Sequence, residues 1–230
     1  MVLNENEVQE ILDLIRLASE EILNIYFRQQ ADWKVSLKED RTPLTEADRL
    51  SNSVINEGLK KLFPKIPIIS EENREIPYDI RRKYEYYWLL DPLDGTKEFL
   101  KQNGEFTVNL ALIQQGKPVA GFISVPVKSW CYFAVKGRGA YKIEIGEKQD
   151  GSQGERQIQQ VKQDNKLQLR AAQFSIDDPG LTVLASRSHF DSETRKFIES
   201  LNQPRLESRG SSLKFMMLAE GLGHLYPRLG

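Results

Sequence analysis

Two aspartates three residues apart, Asp91 and Asp94, stand in the stretch Tyr87-Trp88-Leu89-Leu90-Asp91-Pro92-Leu93-Asp94-Gly95-Thr96-Lys97-Glu98-Phe99. An apolar run delivers both carboxylates to a glycine turn, and a short helix is predicted from Thr96. Strand end, paired acids and helix start together can hold a divalent cation and a phosphate in one small volume. An ordinary strand followed by an Asp-Gly turn would look the same. Two further acids, Asp48 and Glu71, also fall at the ends of predicted elements. Mg2+ wants about six oxygens, only a few of which a protein usually supplies. The only histidines, His189 and His224, and the single Cys131 form no cluster of metal-ligand spacing. That points away from zinc and toward an oxygen-ligated metal. With two metals about 4 Å apart, Asp91 could bridge both while Glu71 and Asp94 each hold one side. The Leu93 carbonyl is a natural further ligand.

Gly95-Thr96-Lys97 opens a helix whose amides and dipole favour a phosphate, and Gly95 lets the backbone approach the anion closely. The Thr96 hydroxyl can bond Asp48, and the pair could take a proton from metal-activated water. The expected chemistry is in-line attack of that water on a phosphate monoester, without a phosphoenzyme intermediate. Capping is a second reason for Asp48: Thr45 reads as the N-cap of a helix, with Asp48 at its third position reaching back.

The elements that must position these groups follow from periodicity. Residues Asn4 to Gln30 read as an amphipathic helix through Val8, Ile11, Leu12, Ile15, Ala18 and Ile22. Trp33 to Lys38 alternates as a half-buried strand would, until Asp40-Arg41-Thr42-Pro43 breaks it. A second helix carries Ile55, Leu59 and Leu62 and stops before Pro64. Ile66 to Ser70 is a short strand ending in Glu71-Glu72, and Asn73 to Lys83 is a polar connection. Three apolar runs then follow: Phe106–Gln114, Lys117–Pro126 and Trp130–Val135. The turns Gln115-Gly116 and Lys136-Gly137-Arg138-Gly139 make an antiparallel meander with them. Residues 146–166 contain almost no large apolar side chain and read as an exposed excursion or linker. Beyond them strands at Leu167–Ala171, Leu181–Ala185, Arg205–Ser208 and Leu225–Pro227 alternate with helices at Asp191–Asn202 and Ser211–Glu220. The expected organisation is an α+β half over 1–145, the excursion, and an α/β half over 167–230.

A net charge of −1 gives no reason to expect a nucleic-acid polymer or an anionic membrane as partner. One cysteine excludes an internal disulfide framework and fits a reducing compartment. Cys131, between Trp130 and Tyr132, reads as a small buried hydrophobe rather than a nucleophile. The acidic N-terminus lacks the features of a signal peptide, and no apolar run is long enough to span a bilayer. A soluble, cytoplasmic protein is expected.

Leu90-Asp91-Pro92-Leu93-Asp94-Gly95-Thr96-Lys97-Glu98-Phe99 resembles the first signature of the metal-dependent, lithium-sensitive phosphatases, which include inositol monophosphatases and fructose bisphosphatases. Lys97-Glu98 resembles the 3'(2'),5'-bisphosphate nucleotidase branch; inositol monophosphatases tend to have Thr-Asn there. Thr42-Pro43-Leu44-Thr45-Glu46-Ala47-Asp48 and Ser70-Glu71-Glu72 match the two upstream site segments in order. The resemblance runs from the first helix to the last residue. It implies a layered α-β-α-β-α fold, with an antiparallel N-terminal half beside a C-terminal α/β half. It also implies two or three Mg2+ ions, with Glu71, Asp91, the Leu93 carbonyl and Asp94 as ligands and Asp48 and Thr96 activating the water. Lys38 is a further residue that could converge on this site.

Two later segments, Ala185-Ser186-Arg187-Ser188-His189 and Gly210-Ser211-Ser212-Leu213-Lys214-Phe215, also resemble the nucleotidase branch, as does Gly223-His224-Leu225-Tyr226-Pro227-Arg228. By resemblance, Ser211, Ser212, Lys214 and Arg228 hold a nucleotide's second phosphate and its sugar, with Ser188 and His189 near the sugar or base. Alternatively Ser211 only caps its helix, and Lys214 and Arg228 are solvated. The family's second signature, a Trp-Asp whose acid is a metal ligand, is not in these 230 residues. The expectation is therefore an incomplete C-terminal half with an exposed apolar face, one weakened metal site and impaired activity. The implied reaction is removal of the 3'-phosphate from adenosine 3',5'-bisphosphate or the related sulfated nucleotide. The alternatives are an inositol or sugar monophosphatase, or a nucleotide- or metal-binding module without turnover.

Overall fold

The computed structural model describes residues 3–28, 35–37, 43–145, 166–185 and 191–229. They fall into two compact units, Met1–Leu167 and Gln168–Gly230.

In the first unit, helix α1 (Glu5–Tyr26) starts at a reciprocal cap. The Glu7 amide donates to Asn4 Oδ1 at 2.9 Å and the Asn4 amide to Glu7 Oε2 at 2.7 Å. Its apolar stripe, from Val8 through Ile11, Ile15 and Ile22 to Ile25, is buried as the spacing predicts. Strands β1 (Val35–Leu37) and β2 (Pro43–Thr45) pair antiparallel, and helix α2 (Glu46–Leu62) leaves β2 directly. A Cβ on Gly58 would lie 2.3 Å from Leu14 Cδ1, so the missing side chain is what lets α1 and α2 approach.

Strands β3 (Ile68–Ser70), β4 (Tyr86–Asp94), β5 (Thr107–Gln114), β6 (Lys117–Val125), β7 (Trp130–Val135), β8 (Gly139–Glu144) and β9 (Leu167–Gln168) form a seven-stranded sheet in that order. β3 runs parallel to β4, whereas β4 to β8 are an antiparallel meander. Two short helices sit in the connections, α3 (Tyr78–Arg81) and α4 (Thr96–Leu100). Trp88, Phe99, Phe106, Leu110 and Phe122 join the stripes of α1 and α2 in one core. Cys131 is fully buried there, and burial pushes its thiol up, away from the reactive thiolate. β8 escapes sequence reading because Ile143 is its one fully buried side chain, leaving no apolar run to see.

The second unit is built on a parallel pair, β10 (Thr182–Ala185) and β11 (Arg205–Ser208), joined through helix α5 (Ser192–Glu199). Helix α6 (Leu213–Ala219) follows. Val183, Ile198 and Leu201, with Phe197 and Leu225 packed on them, are its small core. Two predicted strands are shorter than expected. Leu167–Ala171 contracts to Leu167–Gln168 because its residues are mostly exposed, so no burial rewards extension. Leu225–Pro227 makes only a single bridge, Val183 to Leu225, and Pro227 has no N–H to continue a ladder. Leu206, Phe215, Leu222 and Leu229 are exposed. Among the described residues no helix is long and apolar enough to cross a membrane.

Candidate active site

Residues i and i+3 of a regular strand point to opposite faces, so Asp91 and Asp94 would diverge if β4 were uniform. It is not uniform. Asp91 pairs with Asn109 and Asp94 with Thr107, so three steps on β4 match two on β5. Thr107 and Asn109 share a face of β5, and the extra residue therefore returns Asp94 to the face of Asp91. Pro92 sits inside this bulge, where its missing N–H costs no ladder bond. The Ser51 hydroxyl of α2 donates to the Pro92 carbonyl at 2.8 Å, and Asn109 Nδ2 donates to Asp94 Oδ2 at 3.4 Å. Gly95 then turns the chain with φ of 92°, a left-handed conformation that L side chains avoid, and α4 begins at Thr96.

Asp48, only 2 % exposed, divides its carboxylate between two tasks. Oδ2 accepts from the Thr45 amide at 2.8 Å and from the Thr45 hydroxyl, and the Asp48 amide donates back to Thr45, which completes the predicted capping box. Oδ1 faces the other way and accepts from the Thr96 hydroxyl at 3.3 Å. Capping and the Thr96 contact, both expected of Asp48 from the sequence, thus coexist on separate oxygens. The same Thr96 hydroxyl lies 3.4 Å from the Leu93 carbonyl. A hydroxyl has one proton, so it serves one of the two acceptors at a time.

Glu71 is held at the end of β3, its amide donating to the Leu90 carbonyl at 3.1 Å. The charges acting on Asp91 are those of Asp94, Glu71 and Asp48. Burial first, and then this negative company, pushes the Asp91 carboxyl up to about 8, against a smaller lowering by the Leu93 amide. Among the described residues no three acidic, histidine or cysteine side chains are yet gathered as a formed metal site. A set of hard oxygen donors, one of which resists ionisation beside the others, fits a divalent cation such as Mg2+.

The first unit therefore sets Asp94, Glu71 and Asp48 close enough to act on Asp91, and the Thr96 hydroxyl within reach of Asp48 and the Leu93 carbonyl, with Lys97 exposed on the first turn of α4. The second-unit residues present a different picture. Lys214 is 6 % exposed, and its ammonium donates to the carbonyls of Arg209 at 3.0 Å and Ser211 at 2.7 Å, over the Tyr226 ring. The N-cap position of α6 falls on Ser212, without a side-chain capping bond, and Ser211 has a left-handed backbone with φ of 51°. Arg228 is exposed. His224 has a local partner, its Nδ1 accepting from the Thr182 amide at 2.9 Å. Ser188, His189 and Lys38 lie outside the described residues. Sequence reasoning missed Ser51, Asn52, Asn56, Asn73 and Asn109. A polar stripe on α2, Asp48-Ser51-Asn52-Asn56 at helical spacing, was the available signal.

A mostly antiparallel sheet under two helices, with an acidic bulge at the end of one strand, defines a mixed α/β scaffold of the sugar-phosphatase type. The family model for inositol monophosphatases matches residues 4–230. The chain belongs to that family and is an enzyme, a phosphatase, of it. Within the family it is 40% identical over 223 residues to the 3'(2'),5'-bisphosphate nucleotidase CysQ of Salmonella typhimurium, covering 97% of this chain and 80% of that one. The CysQ nucleotidase of Haemophilus influenzae is 33% identical over 231 residues, covering 100% of this chain and 78% of its own. Among solved structures, CysQ from Bacteroides thetaiotaomicron superposes with a TM-score of 0.73 at 37% identity, covering 98% of this chain and 80% of that one. A Thermotoga maritima inositol monophosphatase shares the fold, with a TM-score of 0.71 at 20% identity over 96% and 75% of the two chains.

Proposed function

We propose that this chain is a Mg2+-dependent phosphomonoesterase that removes the 3'-phosphate of adenosine 3',5'-bisphosphate and leaves the 5'-monophosphate. The sulfated analogue, 3'-phosphoadenylyl sulfate, offers the same bond. The substrate reading rests on the likeness to CysQ nucleotidases, 40% identical to this chain over 223 residues. The observation that carries the chemistry is the Thr96 hydroxyl bonded to buried Asp48 beside the acidic group around Asp91.

Glu71, Asp91, the Leu93 carbonyl and Asp94 would hold the cations. When bound, such ions neutralise phosphate charge and act as Lewis acids toward water and the ester oxygen. The remaining work falls to the chain itself. With the Leu93 carbonyl engaged elsewhere, the Thr96 proton is left to Asp48 Oδ1. Thr96 Oγ1 then accepts a proton from the attacking water as its own passes to Asp48, a two-step general-base relay. The water oxygen bonds to phosphorus, the bond from phosphorus to the 3'-oxygen breaks in line, and that oxygen takes a proton from solvent as it leaves, while Asp48 returns its proton to solvent. The amides of Gly95, Thr96 and Lys97, with the Lys97 ammonium, would orient the phosphoryl oxygens.

The test is phosphate release from adenosine 3',5'-bisphosphate at millimolar Mg2+, with inositol 1-phosphate and adenosine 5'-monophosphate as competitors. The expected result is turnover of the bisphosphate, loss with chelator, inhibition by lithium and a strong preference over both monophosphates. Faster turnover of inositol 1-phosphate would replace the substrate assignment. Nucleotide binding with no release at any Mg2+ concentration would refute the catalytic one.

A further inference from the structure

Glu71 occupies an awkward position. It is an exposed carboxylate at the turn that follows β3, close enough to Asp91 to act on its neighbour's carboxyl. Something has to hold the turn in place. Ser70 and Asn73 close it, the Asn73 amide donating to the Ser70 carbonyl at 3.2 Å, with Glu71 and Glu72 between them. Both ends of this turn are seized by one side chain of α2. Asn52 Nδ2 donates to Asn73 Oδ1 at 3.0 Å, and Asn52 Oδ1 accepts from the Ser70 hydroxyl at 2.7 Å.

Asn56, one helical turn on, closes a ring. Asn73 Nδ2 donates to Asn56 Oδ1 at 2.9 Å, and Asn56 Nδ2 donates to Asn52 Oδ1 at 2.8 Å. Three carboxamides thus donate head to tail, from 52 to 73 to 56 and back to 52. Such a cycle fixes the orientation of each amide, because flipping one breaks two bonds. It also polarises each bond through its neighbours. Asn56 and Ser70 are largely buried, 7 % and 8 % exposed, so these groups have little water to turn to. The same helix carries Asp48 and Ser51, which bind Thr96 and the Pro92 carbonyl. One face of α2 therefore reaches all three segments that bear site residues.

We propose that Asn52, through the ring with Asn56 and Asn73, is the positioning residue for Glu71, fixing the turn that carries that carboxylate so that a divalent cation meets a preformed ligand. This rests on the reading of Glu71 as a cation ligand. Residues that orient a ligand typically change metal affinity by about 10- to 100-fold when removed.

The experiment is Mg2+ titration of wild type, Asn52→Ala, Glu71→Gln and the double variant, read by calorimetry with metal alone and by Mg2+-dependent phosphate release. For Asn52→Ala, affinity is expected to fall about tenfold, with kcat regained at saturating Mg2+. In the Glu71→Gln background, the same change should weaken binding no further, because the clamp then has no ligand to place. Ser53→Ala, on the exposed face of α2, should match wild type in both readouts. Ser70→Ala, which removes one donor only, should show a smaller shift and serves if Asn52→Ala does not fold. Unchanged Mg2+ affinity in a folded Asn52→Ala, or equal losses in both backgrounds, would sink the clamp while leaving the phosphatase reading intact. Absence of Mg2+ binding by wild type would overturn the reading and the clamp together.

Discussion

The starts of α4 and α6 looked alike in sequence: a small-residue turn, hydroxyls and a lysine, each suited to an anion. They differ in what the surrounding chain does with the charge. At α6, Lys214 is turned inward, and two carbonyls and an aromatic face absorb its ammonium. At α4, the acids of β4 are brought onto one face and meet other acids, and burial together with that company raises Asp91 to about 8. A charge bonded to its own backbone serves the fold. Like charges crowded together weaken the fold and are worth keeping only where a ligand of opposite sign relieves them.

The largest effect that could break this contrast is at Thr96. Thr96→Ala should lower kcat by about 100-fold or more with little change in thermal stability. Asp48→Ala should lose at least as much activity, and about 1 kcal/mol of stability as the α2 cap is lost. Steady-state kinetics beside thermal melts separates the two. If Thr96→Ala kept full activity, the relay would fall and α4 would be no different from α6.

Asp91→Asn sharpens the comparison from the other side. It should abolish Mg2+ binding by calorimetry, yet raise the melting temperature in chelator by a few degrees, on the order of 1 kcal/mol, because a buried carboxylate among acids is removed. Lys214→Ala should do the opposite. It leaves the Arg209 and Ser211 carbonyls without their donor, at a cost of about 1–3 kcal/mol, while Mg2+ affinity stays unchanged. Lower Mg2+ affinity in Lys214→Ala would show that its charge is not spent locally.

The smallest effect lies at α5. The Thr194 amide and hydroxyl both donate to Asp191, at 2.8 and 2.7 Å, and hold its carboxyl below its ordinary value of 3.8. A lowered folded value means that this support is complete above 3.8 and is lost as pH falls through the folded value. Thermal melts from pH 6 to pH 2 should show wild type losing a small advantage over Asp191→Asn only below about pH 4.

Much of the fold could be read from sequence because its signals are local. The stripe of α1, the Thr45–Asp48 cap and the Gln115-Gly116 turn each lie within one short window. The acidic stretch at 91–96 was legible for the same reason. The bulge was not, because register belongs to a pair of strands and nothing in β4 alone states how β5 aligns with it. Nor was the amide ring, whose members come from α2 and from a turn 21 residues beyond Asn52. Asparagines on a helix face also read as solvated until their partners are known. Lys214 shows the reverse error, a cation whose chemistry looked available and whose carbonyl partners sequence does not display.

The bulge in β4 gives the acidic site a parity. Alternation along a regular strand puts residues an even number apart on one face, so the odd interval from Asp91 to Asp94 keeps both acids together only while the bulge takes up one residue. Substituting Leu93 changes a side chain; deleting it would remove the bulge, leaving the two acids on one face of a regular strand but without the carbonyl that lies 3.4 Å from the Thr96 hydroxyl. The interval between the two acids thus tolerates a change of letter far better than an added residue, which would send Asp94 to the opposite face of the sheet and should be as damaging as the loss of Asp94 itself.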